Sequence, residues 1–320
     1  MIKIISISVL LIGLLGVSLS AFSKSLMVED SIQFVHHDST VLSFISDTQA
    51  PLFFEKLLLK TNHNKEATEQ LLTAVLQQKP RYLFFLGDII NIGSNAHRWR
   101  KMQGWISLLN LQQIGTRALI GNHEYLWRKK AGIRNLKKHF PTASSIGEVC
   151  IIDSVAVVLL NSNFKQLSKQ AIKAQDEWYS RTLKELQASS SIRAIIVACH
   201  HSPFSNSKIV GSSAAVQQHF LTPFYATSKC CLFVSGHAHD FEYFESQQKL
   251  FLVIGGGGGP HHPLAIKADS PIELAPNYNP LFHYLRLVYH NGRLRIQSYY
   301  LDQTTKQVVN GWQKEIMLKP

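Results

Sequence analysis

Five short polar clusters hold the residues that could do chemistry: Ser46-Asp47-Thr48-Gln49, Gly87-Asp88-Ile89-Ile90-Asn91, Gly121-Asn122-His123-Glu124, His200-His201-Ser202-Pro203 and Gly236-His237-Ala238-His239-Asp240. An apolar run precedes each of them. Carboxylates, imidazoles and amide oxygens brought to one edge of a sheet form a ligand set for hard-to-borderline divalent or trivalent ions. The donors suffice for two. One bridging carboxylate and about three further protein ligands per ion would use seven side chains, and two ions roughly 3.5–4 Å apart clamp both the attacking and the leaving oxygen of a phosphoryl transfer. Cys150, Cys199, Cys230 and Cys231 show none of the paired spacings of a structural zinc site and are too few for a disulfide framework.

The elements that must position these clusters alternate along the chain. Val41 to Ser46 reads as a strand, and the segment from Lys65 to Gln78 places Leu71, Leu72, Val75 and Leu76 on one helical face before Pro80 stops it. Arg81 to Leu86 is the next strand, Trp99 to Leu111 a helix, Arg117 to Ile120 a strand, and Trp127 to Phe140 a basic helix ended by Pro141. Val149 to Asn161 folds as two strands about Asp153-Ser154. A long helix, Gln170 to Leu186, leads to the strand Ile192 to Cys199, and a helix near Ala214 to Tyr225 leads to the strand Cys231 to Val234. The last third is β-rich: Leu250 to Ile254, then Tyr284 to Tyr289 and Leu294 to Tyr299 joined by the hairpin signal Asn291-Gly292. The hairpins favour a mixed α/β sandwich over a doubly wound sheet, and no repeat or long linker divides residues 24–320 into more than one domain.

With 320 residues, 45% hydrophobic and 17% charged, the composition excludes disorder and a disulfide-dense miniprotein. The formal charge of +12 favours anionic partners in general. Residues 1–23 have the layout of a secretory signal peptide: Lys3, an apolar run from Ile4 to Val17, then small residues at Ser18, Ser20, Ala21 and Ser23. The same stretch is just long enough to span a bilayer as an uncleaved anchor. Either outcome exports the folded part, and a membrane becomes a partner only if the segment stays uncleaved.

The ordered series D-x-[HQ], G-D-x-x-[ND], G-N-H-[ED], H-x-P and G-H-x-H, running from Asp47 to His239, resembles the calcineurin-like metallophosphoesterase superfamily. The resemblance implies a four-layer α/β sandwich, two mixed β-sheets flanked by helices. It implies two divalent or trivalent ions (Mn, Fe, Zn or Mg), the first held by Asp47, Gln49, Asp88 and His239, the second by Asp88, Asn122, His201 and His237. Asp88 bridges, and His123 assists at the transition state as the acid–base group. Glu124 or Asp240 would orient an imidazole. His200 and His201 would point to opposite faces of a strand, and the H-x-P spacing to Pro203 selects His201 as the ligand, leaving His200 a bystander. His201 to Ser207 and the glycine run after Ile254 are similar to the purple acid phosphatase branch, although Asn91 stands where that branch has an iron-binding Tyr.

The implied activity is hydrolysis of a small anionic phosphate ester by a hydroxide held on the metals, with a phosphomonoester favoured. The alternatives are a phosphodiesterase or pyrophosphatase of the same superfamily and a non-catalytic binding protein on the same fold. Other signals are discounted. Gly255 to Gly259 lacks the P-loop pattern and reads as a tight turn near the site, His261 and His262 read as solvated loop residues in preference to residues lining the site, and the cations from Arg128 to Lys138 as a solvated helix face in preference to an attractor of anionic substrate. His36-His37-Asp38 reads as surface. The tryptophans do not interleave with basic residues, so no nucleic-acid partner is expected.

Overall fold

Apolar runs with no polar face must be covered on both sides, and the chain does this with two six-stranded sheets laid face to face. The computed structural model describes residues 39–52, 64–265 and 271–318. The 1–23 leader and His36-His37-Asp38 lie outside the described residues.

The first sheet has the order β12-β11-β10-β1-β2-β3. One half of it is parallel: β1 (Thr40–Ile45) pairs with β2 (Tyr82–Phe85), and β2 with the edge strand β3 (Gly115–Ala118). β10 (His283–His290), β11 (Arg293–Leu301) and β12 (Val308–Met317) extend it as an antiparallel meander. The turn between β10 and β11 is Asn291-Gly292, both at positive φ (46° and 74°), as the dipeptide demands. The second sheet has the order β4-β5-β6-β7-β9-β8. Here β5 (Val155–Leu160), β6 (Ala194–Cys199), β7 (Cys230–Ser235) and β9 (Lys249–Ile254) are parallel, edged by β4 (Gly147–Ile152) and β8 (Phe241–Ser246).

Strict alternation along each strand feeds two layers at once. Phe44, Phe84, Val157, Ile196, Val234 and Leu285 fill the core between the sheets. Ile45, Leu83 and Phe85 face outward instead, onto Leu71, Leu72 and Val75 of α1 (Asn64–Gln78) and onto Trp99, Met102 and Ile106 of α2 (Ala96–Leu111). The first sheet also carries α3 (Lys129–His139) through Leu136. On the far side, Ala156, Ile195 and Val197 pack on Tyr179 and Leu183 of α4 (Lys169–Ala188) and on Val216, Phe220 and Phe224 of a helical segment at 214–226 that contains a π turn at Gln217–Leu221. The result is the four-layer sandwich expected, and the described residues form one compact unit. No described helix is long and apolar enough to cross a membrane.

Two differences from the sequence reading matter. β3 lies two residues earlier than expected, so Leu119 and Ile120 already belong to the approach to Asn122. β8 and β12 were not foreseen. All four cysteines are buried and free.

Candidate metal centre

The five clusters leave the carboxyl ends of β1, β2, β3, β6 and β7, and parallel strands in both sheets deliver them to one edge of the sandwich. Three of their residues, Asp47 (φ 57°), Asp88 (φ 49°) and His237 (φ 67°), sit in the left-handed region that side chains rarely adopt. The surrounding bonds hold them there. The Asp47 amide donates to the Gly87 carbonyl at 3.2 Å and the Gln49 amide to the Asp88 carbonyl at 3.1 Å. Gly121 lets its loop reach Asp88, because a Cβ there would stand 2.2 Å from Asp88 Oδ1.

Glu124 ties the second and third clusters together. Its buried carboxylate accepts the amides of Asp88 (3.0 Å), Ile89 (3.0 Å) and Gly121 (2.8 Å). Burial and the neighbouring Asp88 charge push its pKa up to about 7. The expectation that it orients an imidazole is therefore corrected: it clamps backbone. Asp240 does not orient one either; it is buried against Glu242, and burial and that neighbour's charge raise its pKa well above the usual range.

Around Asp88, the structure departs from the sequence reading at one residue. His200 Nε2 stands 3.3 Å from Asp88 Oδ2 and 3.0 Å from Asn122 Oδ1, and Asp88, His200 and His237 form a group whose ligand atoms all lie within 4.8 Å of one another. His201 lies outside that group and turns to Ser162, whose Oγ is 2.8 Å from its Nδ1. The reason is the alternation of β6. Ala194, Ile196 and Ala198 face the space between the sheets, so His200 continues toward the first sheet, where the Leu86 carbonyl meets its Nδ1 at 2.9 Å. The spacing to Pro203 ignored that face.

Around Asp47, Oδ2 accepts the His237 amide at 2.9 Å, while Oδ1 is buried without a hydrogen-bond partner and stands 3.3 Å from His239 Nε2. An orphaned carboxylate oxygen facing a ring nitrogen is what a cation site looks like from its donors. Gln49 completes the cluster. With its amide nitrogen donating to the Asp88 (2.6 Å) and Asp47 (3.2 Å) carbonyls, its oxygen takes the position 3.3 Å from His239 Nε2. Asn91, in contrast, is used elsewhere: it donates to the Ala50 carbonyl at 2.8 Å and accepts from Arg98 at 2.7 Å.

The imidazoles share a design. His200, His239 and His123 place Nδ1 on the carbonyls of Leu86 (2.9 Å), Pro260 (2.7 Å) and Asn91 (2.8 Å), which leaves Nε2 of each facing a carboxylate. Backbone carbonyls thus do the orienting expected of carboxylates. Burial opposes charging His200, but Asp88 and Asp47 outweigh it and push its pKa up to about 10. Burial likewise works against the Asp88 charge, yet His200 and His123 hold that carboxyl below the usual range. Burial, and then His200, keeps His201 neutral with a pKa of about 3.

Two further pieces were missed or undervalued in sequence. His262 is buried, not solvated, and stacks on the His239 ring at 4.2 Å between centroids. The glycine run packs directly under the first cluster: the Gly257 amide donates to the Ser46 carbonyl at 2.9 Å and the Gly259 amide to that of Asp47 at 2.8 Å. A Cβ on Gly257 would stand 2.2 Å from the Ser46 carbonyl oxygen, which explains the composition of the turn. Arg128, Lys129, Lys130, Arg134, Lys137 and Lys138 are exposed, as a solvated face should be.

Residues 41–241, which include every cluster, match the model of the calcineurin-like phosphoesterase family, and the chain belongs to that family. A comparison with curated sequences finds no significant match. Among solved structures, the fold is similar to purple acid phosphatase PPD1 from yellow lupin (Lupinus luteus) seeds, at 13% identity and a TM-score of 0.64, over 87% of this chain and 54% of that one. The chain thus spans about half the length of the lupin protein. It is also similar to GAP50, the anchor in the inner membrane complex of Plasmodium (12% identity, TM-score 0.64, 88% of this chain and 90% of that one). A dimetal phosphatase from Danio rerio gives 14% identity and a TM-score of 0.60, over 88% of this chain and 99% of that one. At such identities these likenesses bear on the fold; the family rests on the match across the clusters.

Proposed function

We propose that the protein is an exported phosphoesterase with a dinuclear metal centre that hydrolyses small phosphate monoesters. The observation that carries the reading is the pair of donor sets meeting at one sheet edge, Asp47, Gln49 and His239 on one side of Asp88 and Asn122, His200 and His237 on the other. The donors are oxygen and imidazole nitrogen with no thiolate, a set suited to Mn, Fe, Zn or Mg. Ions held there would supply Lewis acidity to the phosphoryl oxygens and lower the pKa of water.

The chain's own residues supply the rest. Asp88 has one oxygen on the His123 amide at 2.8 Å and the other turned to His200 and His123, so the second oxygen and the carboxylate's full charge remain for the centre. His123 is fixed by the Asn91 carbonyl at Nδ1 and lies with Nε2 3.8 Å from Asp88 Oδ2. Burial resists its protonation, but Asp88 and that carbonyl outweigh the burial and raise its pKa. Its Nε2 can therefore hold a proton near neutrality and pass it to the departing alkoxide. The charge-poor apolar stretch at 1–23 supports export. Monoesters are favoured by the likeness of the His201 to Ser207 segment to the acid-phosphatase branch.

The test is metal analysis of the purified protein beside a panel of phosphomonoesters, phosphodiesters and pyrophosphates. Metal-dependent turnover greatest on monoesters is expected. A metal-loaded protein inert on the whole panel would overturn the reading.

A further inference from the structure

A cleft of about 330 Å³ opens beside the centre, and its wall runs from Asn122 and His237 through His201 to Ser162, Lys165 and Ser213. Two of these residues belong to the donor set around Asp88; the others do not. His201 links the two groups. Its ring lies 4.3 Å from that of His237 between centroids, yet it is not part of the ligand group.

Its hydrogen bonds fix what it can offer. Ser162 Oγ accepts the His201 backbone amide at 2.9 Å and lies 2.8 Å from its Nδ1. The Cys199 thiol points to the His201 carbonyl at 3.1 Å. When the serine hydroxyl accepts the amide and donates to Nδ1, the ring carries its proton on Nε2. Ser162 is itself only 4% exposed, so this arrangement is enclosed by protein and not a surface contact. In that tautomer the imidazole, beside the metal donors and lining the cleft, carries an N–H at its outer end with no protein acceptor among the described residues. A phosphoryl oxygen is the acceptor the site is built to receive.

We infer that His201 is a substrate-binding residue, donating Nε2–H to a phosphoryl oxygen of the ester held in the cleft, with Ser162 as its positioning residue. The inference rests on the phosphoesterase reading and deepens it: it assigns the second histidine of the pair to the substrate and the first to the metal. Lys165, exposed at the rim, adds a positive charge on the side where the anion enters.

The experiment compares the wild type with His201→Ala, His201→Gln and Ser162→Ala, all loaded with Mn²⁺. Metal content is measured by elemental analysis, inorganic phosphate binding by calorimetry, and KM and kcat on a phosphomonoester. His201→Ala is expected to keep the wild-type metal content while weakening phosphate binding and raising KM about 10-fold, the worth of one hydrogen bond to a charged group. The larger change should be in KM. His201→Gln, which retains an N–H near the Nε2 position, should recover most of the loss, and Ser162→Ala should weaken phosphate binding in the same direction by less. Loss of metal from His201→Ala would show a ligand and overturn the inference. Wild-type phosphate affinity and KM in His201→Ala would overturn it while leaving the phosphoesterase reading intact. A wild type that neither binds phosphate nor turns over would bring down both.

Discussion

Loading the centre should expel a proton from His200. In the metal-free protein Asp88 and Asp47 raise the His200 pKa from 6.5 to about 10 against the opposing effect of burial, so at pH 7.5 the ring is charged. A metal requires the neutral Nε2, and the two ligands compete for it. Because the proton competing with the ion leaves the folded ring with the raised pKa, the apparent affinity of the second ion should climb about tenfold per pH unit as pH rises toward 10 and level off there. By the same sign, the charged His200 stabilises the metal-free fold fully below pH 6.5, and that contribution is lost as pH rises through 10. The assay is calorimetric titration with Zn²⁺ at fixed pH in buffers of different ionisation enthalpy, which counts protons released. One more proton is expected from the wild type than from His200→Gln, a neutral oxygen donor that has none to release. Equal proton release from the wild type and His200→Gln, with affinity flat between pH 6.5 and 9, would refute the assignment.

Exhaustive chelation should abolish hydrolysis and Mn²⁺ should restore it, and Asp88→Ala should be the most damaging single ligand change, since Asp88 is the proposed bridge between the two donor sets; colorimetric turnover with elemental analysis checks both. His123→Ala should lower kcat by about 10²–10⁴ with metal content unchanged, the range for a lost acid–base group, and loss of metal instead would make His123 a ligand. Gln49→Ala should reduce occupancy to about one ion per chain, whereas Asn91→Ala, whose amide is spent on Ala50 and Arg98, should leave the metals in place; elemental analysis of the two variants separates them.

The parallel strands were legible because their sequences are apolar on both faces: the runs that became β1, β2, β6 and β7 end where the polar clusters begin, so fold and site could be read together. β12 was not, because an edge strand exposes alternate residues, and Gly311, Gln313, Lys314 and Glu315 interrupt any apolar pattern. β8 was masked by its position, starting directly after His239-Asp240. Within the site, Asp47, Gln49, Asp88, Asn122, His237 and His239, named from the spacing, come together at one edge of the sandwich. That His200 and not His201 lies beside Asp88 follows from the alternation of Ala194, Ile196 and Ala198 along β6, which the spacing to Pro203 does not report. Ser162 carried no local signal, and His262 only its place after the glycine run; the tertiary fold brings them to His201 and His239.

The most direct measurement is a crystal structure of the Mn²⁺-loaded protein with anomalous scattering from the ions. Two peaks should flank Asp88, one touching Asp47, Gln49 and His239 and the other touching Asn122, His200 and His237, with His201 off both. A single peak, or an ion bound by His201 in place of His200, would contradict the account.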